Sequence, residues 1–364
     1  MSRVDRRSNA TRGTRSDRRG RRGARTALAA LAALALAATL AACGSSSSSS
    51  SGSDGGSGSG STKQITVALP FQASSFAPLY LAIDRGYFRD AGLDVKLVAL
   101  NGGANVVKGL VSGSVDIGLV GLADDMTAVL QRQPLKVFYS TFNQPLYSWY
   151  ARDPAIRTMA DAKGKTVAVS QPGGSMDQIT RYALTKVGLD PRSDVKIRTN
   201  GENAAIVAAL RVGQADIAGT TAESGSLAEA AGAHRVEAQA DLMRQYANGA
   251  STATQQYIDD NSDTVQAYLT GLVKGVREAQ ADPDAAKEAM EKYAKISPEA
   301  AADAYEQIVS KTSADGRLPD AESMDAFWQI GKLAGQWTSP VPESQWLDSR
   351  WIDSYPSWVG QSGD

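Results

Sequence analysis

A stretch of this chain occurs twice, one hundred residues apart. Thr66-Val67-Ala68-Leu69 returns as Thr166-Val167-Ala168-Val169, and Asp94-Val95-Lys96 returns as Asp194-Val195-Lys196. Val107, Leu110, Gly113, Asp116 and Ile117 return as Val207, Leu210, Gly213, Asp216 and Ile217. Each copy reads as an apolar strand, a helix, a second strand, a second helix and a third strand after a Gly-x-x-Asp turn. A period near one hundred is far too long for a solenoid or propeller. It predicts an α/β chain of two βαβαβ lobes, each an open parallel sheet, joined by a hinge. Ligands of such sheets bind beyond the carboxyl ends of the strands. The expected site is therefore the cleft between the lobes.

The first 62 residues cannot belong to either core. Residues 1–25 carry ten Arg against two Asp, an apolar Ala/Leu run follows over 27–42, and Leu40-Ala41-Ala42-Cys43 closes it. This reads as a lipoprotein signal over 1–42, with Cys43 as the lipidated residue. The run is short for a membrane span. Cys43 is the only Cys of the chain, and the Ser/Gly tract after it can serve only as a flexible tether, so 43–62 is read as anchor and linker. Several acyl chains on Cys43 would hold the protein stably at a membrane. The Arg pairs Arg18-Arg19 and Arg21-Arg22 leave the export route open between the general and the twin-arginine pathway. Without 1–42 the chain has 28 basic against 37 acidic residues, a net charge of −9, which argues against nucleic acid as a partner.

In chain order, strand 65–69 runs into the polar loop Pro70-Phe71-Gln72-Ala73-Ser74-Ser75-Phe76, and Pro78 suits the first turn of the helix that follows. The segment Ala77-Pro78-Leu79-Tyr80-Leu81-Ala82-Ile83-Asp84-Arg85-Gly86-Tyr87-Phe88-Arg89-Asp90-Ala91-Gly92-Leu93-Asp94-Val95 is the most distinctive of the chain. With Gly113-Ser114-Val115-Asp116-Ile117-Gly118, Lys163-Gly164-Lys165-Thr166-Val167-Ala168-Val169 and Ala208-Ala209-Leu210-Arg211-Val212-Gly213-Gln214-Ala215-Asp216, it closely resembles one group of proteins. These are the periplasmic substrate-binding proteins of ABC importers for nitrate, taurine, aliphatic sulfonates and thiamine pyrimidine precursors. The resemblance covers roughly residues 64–280. It implies a two-lobe periplasmic-binding-protein-like (type II) fold, a ligand cleft between lobes joined by a two-crossing hinge, and an ABC permease as membrane partner. A first lobe over 63–145, a second over 146–250 and a return to the first over 251–364 are expected, with the helices after 263 packing back on lobe one.

Acyl-transfer and transition-metal chemistry call for His or Cys clusters, and the chain has one of each, Cys43 and His234. His234, in a polar turn, reads as a solvated surface residue. No cofactor and no metal are expected. The same fold class is used by a yeast-type pyrimidine synthase that consumes its own His and carries a Cys-rich motif, which this chain lacks.

The loop Ser170-Gln171-Pro172-Gly173-Gly174-Ser175, followed by Met176, has two Gly that let a ligand approach the backbone. Ser175 can cap the helix, so that free N–H groups and a positive dipole end face the cleft. It lacks the Lys-Ser/Thr ending of a P-loop. In proteins resembling this one, that loop faces the ligand, as does the first-lobe loop matching Gln72, Ser74, Ser75 and Phe76. Asn101-Gly102-Gly103, Gly121 with Ala123 and Asp124, and Thr220-Thr221 with Glu223 also follow strands and converge on the cleft. Asp124 and Glu223 would repel nitrate or a simple sulfonate and pair with an amine or aminopyrimidine; as an alternative they are helix caps. Asn143 marks the first hinge crossing, where Tyr147 and Trp149 could stack on a planar ligand. Asp116 and Asp216 are turn-formers at the far end of the sheets. Five of six Trp fall after residue 327 and read as packing on amphipathic helices.

The resulting expectation is a monomeric, extracytoplasmic, lipid-anchored solute-binding protein that closes on a small polar organic ligand and hands it to a permease, without catalysis. An enzyme on the same fold, a synthase or hydrolase, is the alternative.

Overall fold

The computed structural model describes residues 62–201 and 203–359. The expected signal segment over 1–42, Cys43 and the expected linker up to Ser61 lie outside the described residues. The chain divides after Ser57, and the architecture below is that of the second unit. Among the described residues no helix is long and apolar enough to cross a membrane.

The first copy of the repeat gives β1 (Lys63–Leu69), α1 (Ala77–Asp84), α2 (Tyr87–Asp90), β2 (Leu93–Ala99), α3 (Gly103–Ser112), β3 (Ile117–Val120), α4 (Leu122–Leu130) and β4 (Leu135–Phe142). The chain then crosses to β5 (Tyr147–Ala151), and the second copy gives β6 (Thr166–Val169), α5 (Ser175–Lys186), β7 (Lys196–Thr199), α6 (Asn203–Arg211), β8 (Ile217–Thr221), α7 (Ala222–Ala230) and β9 (His234–Ala238). After α8 (Gln239–Leu242) it returns as β10 (Gly249–Thr254) and continues as α9 (Gln255–Asp260), α10 (Ser262–Ala281), α11 (Pro283–Ala294), α12 (Pro298–Gln307) and α13 (Ala321–Leu333).

Two five-stranded sheets result, ordered β2-β1-β3-β10-β4 and β7-β6-β8-β5-β9. The hundred-residue period survives as register. Thr66 faces Lys96 and Val67 faces Ile117 in the first sheet, while Thr166 faces Lys196 and Val167 faces Ile217 in the second. The turn-forming Asp residues are equally matched. Asp116 Oδ2 accepts the Thr66 N–H at 2.7 Å and Asp216 Oδ2 the Thr166 N–H at 2.8 Å, and each Asp returns its own N–H to the carbonyl of that Thr. Gly113 and Gly213, at φ 73° and 71°, close the preceding helices in the left-handed conformation that glycine adopts without strain.

The crossing strands β5 and β10 are the antiparallel members of their sheets. Both connections therefore run along the carboxyl-end edge of the parallel strands, and that edge is where the sheets meet. The two connections are tied together: the Tyr246 N–H donates to the Asn143 carbonyl at 2.8 Å, Asn248 Nδ2 to the Gln144 carbonyl at 2.6 Å, and Gln239 Oε1 accepts from the Leu146 and Tyr147 N–H groups at 3.0 and 3.3 Å.

The C-terminal helices differ from the expectation that they all return to lobe one. Helices α10 and α11 lie on α1, whereas α12 touches both the turn Ser74–Phe76 and α7, and α13 packs on α5 of the second lobe. The reason is apolar surface. Phe327 and Ile330 of α13, with Trp337 and Trp346, are buried with Ile179 and Ala183 of α5. Trp351 instead joins the first-lobe core.

Candidate functional site

The strand ends position the candidate residues. In the first lobe β3 ends at Val120, Gly121 follows in an extended conformation, and α4 begins at once. Asp124 and Asp125 thus occupy the first turn of α4 with their side chains on different sides. Asp125 is buried beneath the sheet, where its Oδ2 accepts the Thr252 hydroxyl of β10 at 3.0 Å and its Oδ1 has no partner. Burial pushes its carboxyl well above the ordinary range, partly offset by the Thr252 hydroxyl and reinforced by the neighbouring Asp124.

Asp124 is half-buried and lies against the backbone of Gly103 at the start of α3, where a Cβ would overlap the carboxylate. Gly102, at φ 124°, makes the turn that brings Gly103 there. Among the described residues no salt bridge or side-chain hydrogen bond compensates Asp124, and desolvation pushes its pKa up to about 6 from 3.8. Close to it electrostatically is Tyr246 of the return crossing, buried with its hydroxyl unpartnered. A desolvated carboxylate and an orphaned phenol thus lie close together beside the hinge.

In the second lobe the loop after β6 is held differently from the expected Ser175 cap. Gly174 is the N-cap and Ser175 the first helical residue, with no side-chain cap. The loop is pinned by Asp177, whose Oδ2 accepts the Gly173 N–H at 2.8 Å, and by Gln178, whose Nε2 donates to the Gly173 carbonyl at 2.5 Å. Asp177 is also paired with Arg181 at 2.9 Å. A carboxylate two residues into the helix reaches back to the loop more easily than a short Ser side chain.

The remaining candidates sort by burial. Gln72 and Asn101 are exposed, and Gly103, Ala123, Tyr147, Ser170, Gly174, Ser175 and Thr221 are half-buried around the strand ends. Ser74, Ser75 and Asn143 are buried there; Asn143 Nδ2 donates to the Arg317 carbonyl at 2.7 Å. Phe76 and Met176 go into the cores instead. Phe76 meets Phe142 edge to face at 5.8 Å, and Met176 packs under Gly219. Trp149, read as a possible stacking platform, is fully buried, with Nε1 donating to Thr180 Oγ1 at 3.0 Å. Along β5 alternate side chains face opposite ways, and Trp149 faces α5. Glu223 lies in the first turn of α7. His234 is half-buried rather than solvated, its Nε2 2.8 Å from the Ile156 carbonyl, at the end of β9 away from the cleft. Sequence reasoning missed Phe71, 58 % exposed in the first-lobe loop, and the unpartnered Tyr246.

Two α/β lobes with their strand ends on one cleft, linked by two connections along that edge, define a protein of the two-lobe periplasmic-binding-protein fold. Its solved neighbours share it: the aliphatic sulphonate binding protein SsuA from Escherichia coli superposes with a TM-score of 0.67 at 18% identity, over 78% of this chain and 92% of that one. More narrowly, the chain belongs to the NMT1/THI5 like family, whose family model matches residues 73–286. Among curated relatives, "Putative binding protein YtlA" of Bacillus subtilis strain 168 is 27% identical over 215 residues, 58% of this chain and 64% of that protein. The 4-amino-5-hydroxymethyl-2-methylpyrimidine phosphate synthase of Aspergillus parasiticus is 31% identical over 127 residues, 34% of this chain. The match spans 37% of that synthase, so the chain is aligned with only part of each relative.

Proposed function

We propose that this chain is an extracytoplasmic solute-binding lipoprotein of an ABC importer, anchored through Cys43, that closes its lobes on a small polar organic molecule and delivers it to a membrane permease. The family and the fold support a binding role. The observation that carries the ligand class is Asp124 at the strand end of the first lobe, a desolvated carboxylate with no compensating cation among the described residues. The strand-end segments 70–76, 100–105, 121–125, 170–178 and 220–224 contain no Lys or Arg. A plain anion such as nitrate or an alkanesulfonate would meet unscreened negative charge there. A ligand with an amine, an amidine-like edge or an aminopyrimidine ring would supply the missing partner. Among sulfonates, taurine, nitrate and pyrimidine precursors, the donor-bearing members fit best.

The second reading, an enzyme of the pyrimidine-synthase type, draws on the synthase relatives. It is disfavoured by position: His234, the one His of the chain, is bonded to Ile156 at the sheet edge opposite the cleft. A thermal-shift panel of 4-amino-2-methylpyrimidine, taurine, methanesulfonate and nitrate tests the proposal, since binding raises stability by RT ln(1 + [L]/Kd). The aminopyrimidine or taurine should raise the melting temperature and lower the radius of gyration in solution scattering. Stabilisation by nitrate or methanesulfonate alone would refute the ligand class, and an unchanged radius with a tight binder would refute lobe closure.

A further inference from the structure

The repeat lets the two lobes be compared position by position at their strand ends. In the first lobe Pro70, Leu100 and Val120 follow or end β1, β2 and β3; one hundred residues on, Ser170, Asn200 and Thr220 hold the same places beside β6, β7 and β8. The backbone matches. The Leu100 N–H donates to the Leu69 carbonyl at 3.0 Å and the Asn200 N–H to the Val169 carbonyl at 2.9 Å. Yet an apolar row in one lobe has become an entirely polar row in the other. Val120 is buried among Ala68, Val106 and Leu110, with Leu100 packed against them. Thr220 is 0% exposed, and its hydroxyl has no partner. The buried Oδ1 of Asn200 has none, and neither has the buried Oε1 of Gln178 on α5, the helix that follows β6.

Buried polar groups without partners are disfavoured, and the first lobe shows that this backbone accepts an apolar row. From the contrast we infer that the row Ser170, Asn200 and Thr220 is a polar subsite completed by the ligand, which presents to it a neutral hydrogen-bonding edge: a hydroxyl, a carbonyl or a ring nitrogen. A charged group does not suit it. Segments 170–178 and 220–224 hold no cation, and Arg181 on α5 is paired with Asp177. The second lobe therefore reads the neutral edge of a molecule whose donor or cationic end meets Asp124 in the first. This rests on the proposed binding function and adds Asn200 as a specificity residue.

The test uses the mature chain with Thr220→Val and Asn200→Leu, each installing the first-lobe character at the matching place, and Thr220→Ser as the conservative control. The probe in calorimetry is whichever of 4-amino-2-methylpyrimidine and taurine stabilises the wild type. Thr220→Val and Asn200→Leu should each weaken it by about tenfold or more, with Thr220→Ser within about threefold of wild type. The ligand-free Thr220→Val protein should melt no lower than wild type, because it loses an unpartnered buried hydroxyl. Binding that weakens in Asp124→Asn but stays within twofold in both row variants would overturn this inference alone. A ligand-free Thr220→Val protein that melts lower and binds normally would likewise assign the hydroxyl a structural role. If neither probe binds the wild type, the cleft reading and this inference fall together.

Discussion

The carboxylate of Asp124 rests on the backbone of Gly103, so closely that any side chain at 103 would overlap it. Two strand-end segments of the first lobe, after β2 and after β3, meet at this contact. Gly103→Ala should push the Asp124 side chain out of place or shift the start of α3. Overpacking of this kind costs about 1–3 kcal/mol. A lowered melting temperature together with loss of the ligand-induced shift is the expected result; an Ala variant that melts and binds like wild type would mean the two loops move freely past each other.

The pH dependence of stability follows from the same carboxylate. Its folded pKa, about 6, stands above its ordinary 3.8. The native state therefore holds this proton more tightly than the unfolded chain does. Below pH about 4 the group costs nothing; its penalty grows as the pH rises to about 6 and is constant beyond, amounting to on the order of 2–3 kcal/mol. Asp124→Asn should thus raise the melting temperature by a few degrees at pH 7.5 and have little effect at pH 4. An equal difference at both pH values would exclude this origin.

Asp116 and Asp216 provide a matched pair of controls outside the cleft. Each accepts one backbone N–H from the parallel strand beside it, Thr66 of β1 and Thr166 of β6. Asp116→Ala and Asp216→Ala should each destabilise by about 1–2 kcal/mol in denaturant titrations. The double variant should show the sum, because the two sites belong to different sheets. Neither should alter ligand affinity.

Much of this was legible in the sequence, because a strand period and an invariant offset survive packing. The offset of one hundred became identical registers, Thr66 with Lys96 and Thr166 with Lys196. Pro78 in the first turn of α1 likewise follows a local signal. What could not be read is how deep a side chain sits and which neighbours it meets. Trp149 and Tyr147 share one face of β5, yet one is sealed in the core and the other half-buried at the strand end. The loop at Gly173 is held by Asp177 and Gln178 rather than Ser175, since several nearby side chains compete for the same N–H groups. The division of the C-terminal helices between the lobes reflects tertiary burial of Trp337, Trp346 and Trp351, for which spacing along a helix carries no address.

The anchor is tested separately. Cys43→Ala removes the only thiol available for lipidation. The variant is expected in the soluble extracytoplasmic fraction or uncleaved in the membrane. A cleaved Cys43→Ala protein that still sediments with membranes would rule out the lipoprotein reading.

The central claim is that a donor-bearing molecule is held in the cleft by Asp124. Titration calorimetry of the wild type and Asp124→Asn at pH 7.5, with 4-amino-2-methylpyrimidine, taurine and methanesulfonate, tests it most directly. The account predicts binding of the aminopyrimidine or taurine, weakened at least tenfold by Asp124→Asn, and poor binding of methanesulfonate that the substitution improves or leaves alone. Tight methanesulfonate binding to the wild type, with no response of any ligand to Asp124→Asn, would contradict it.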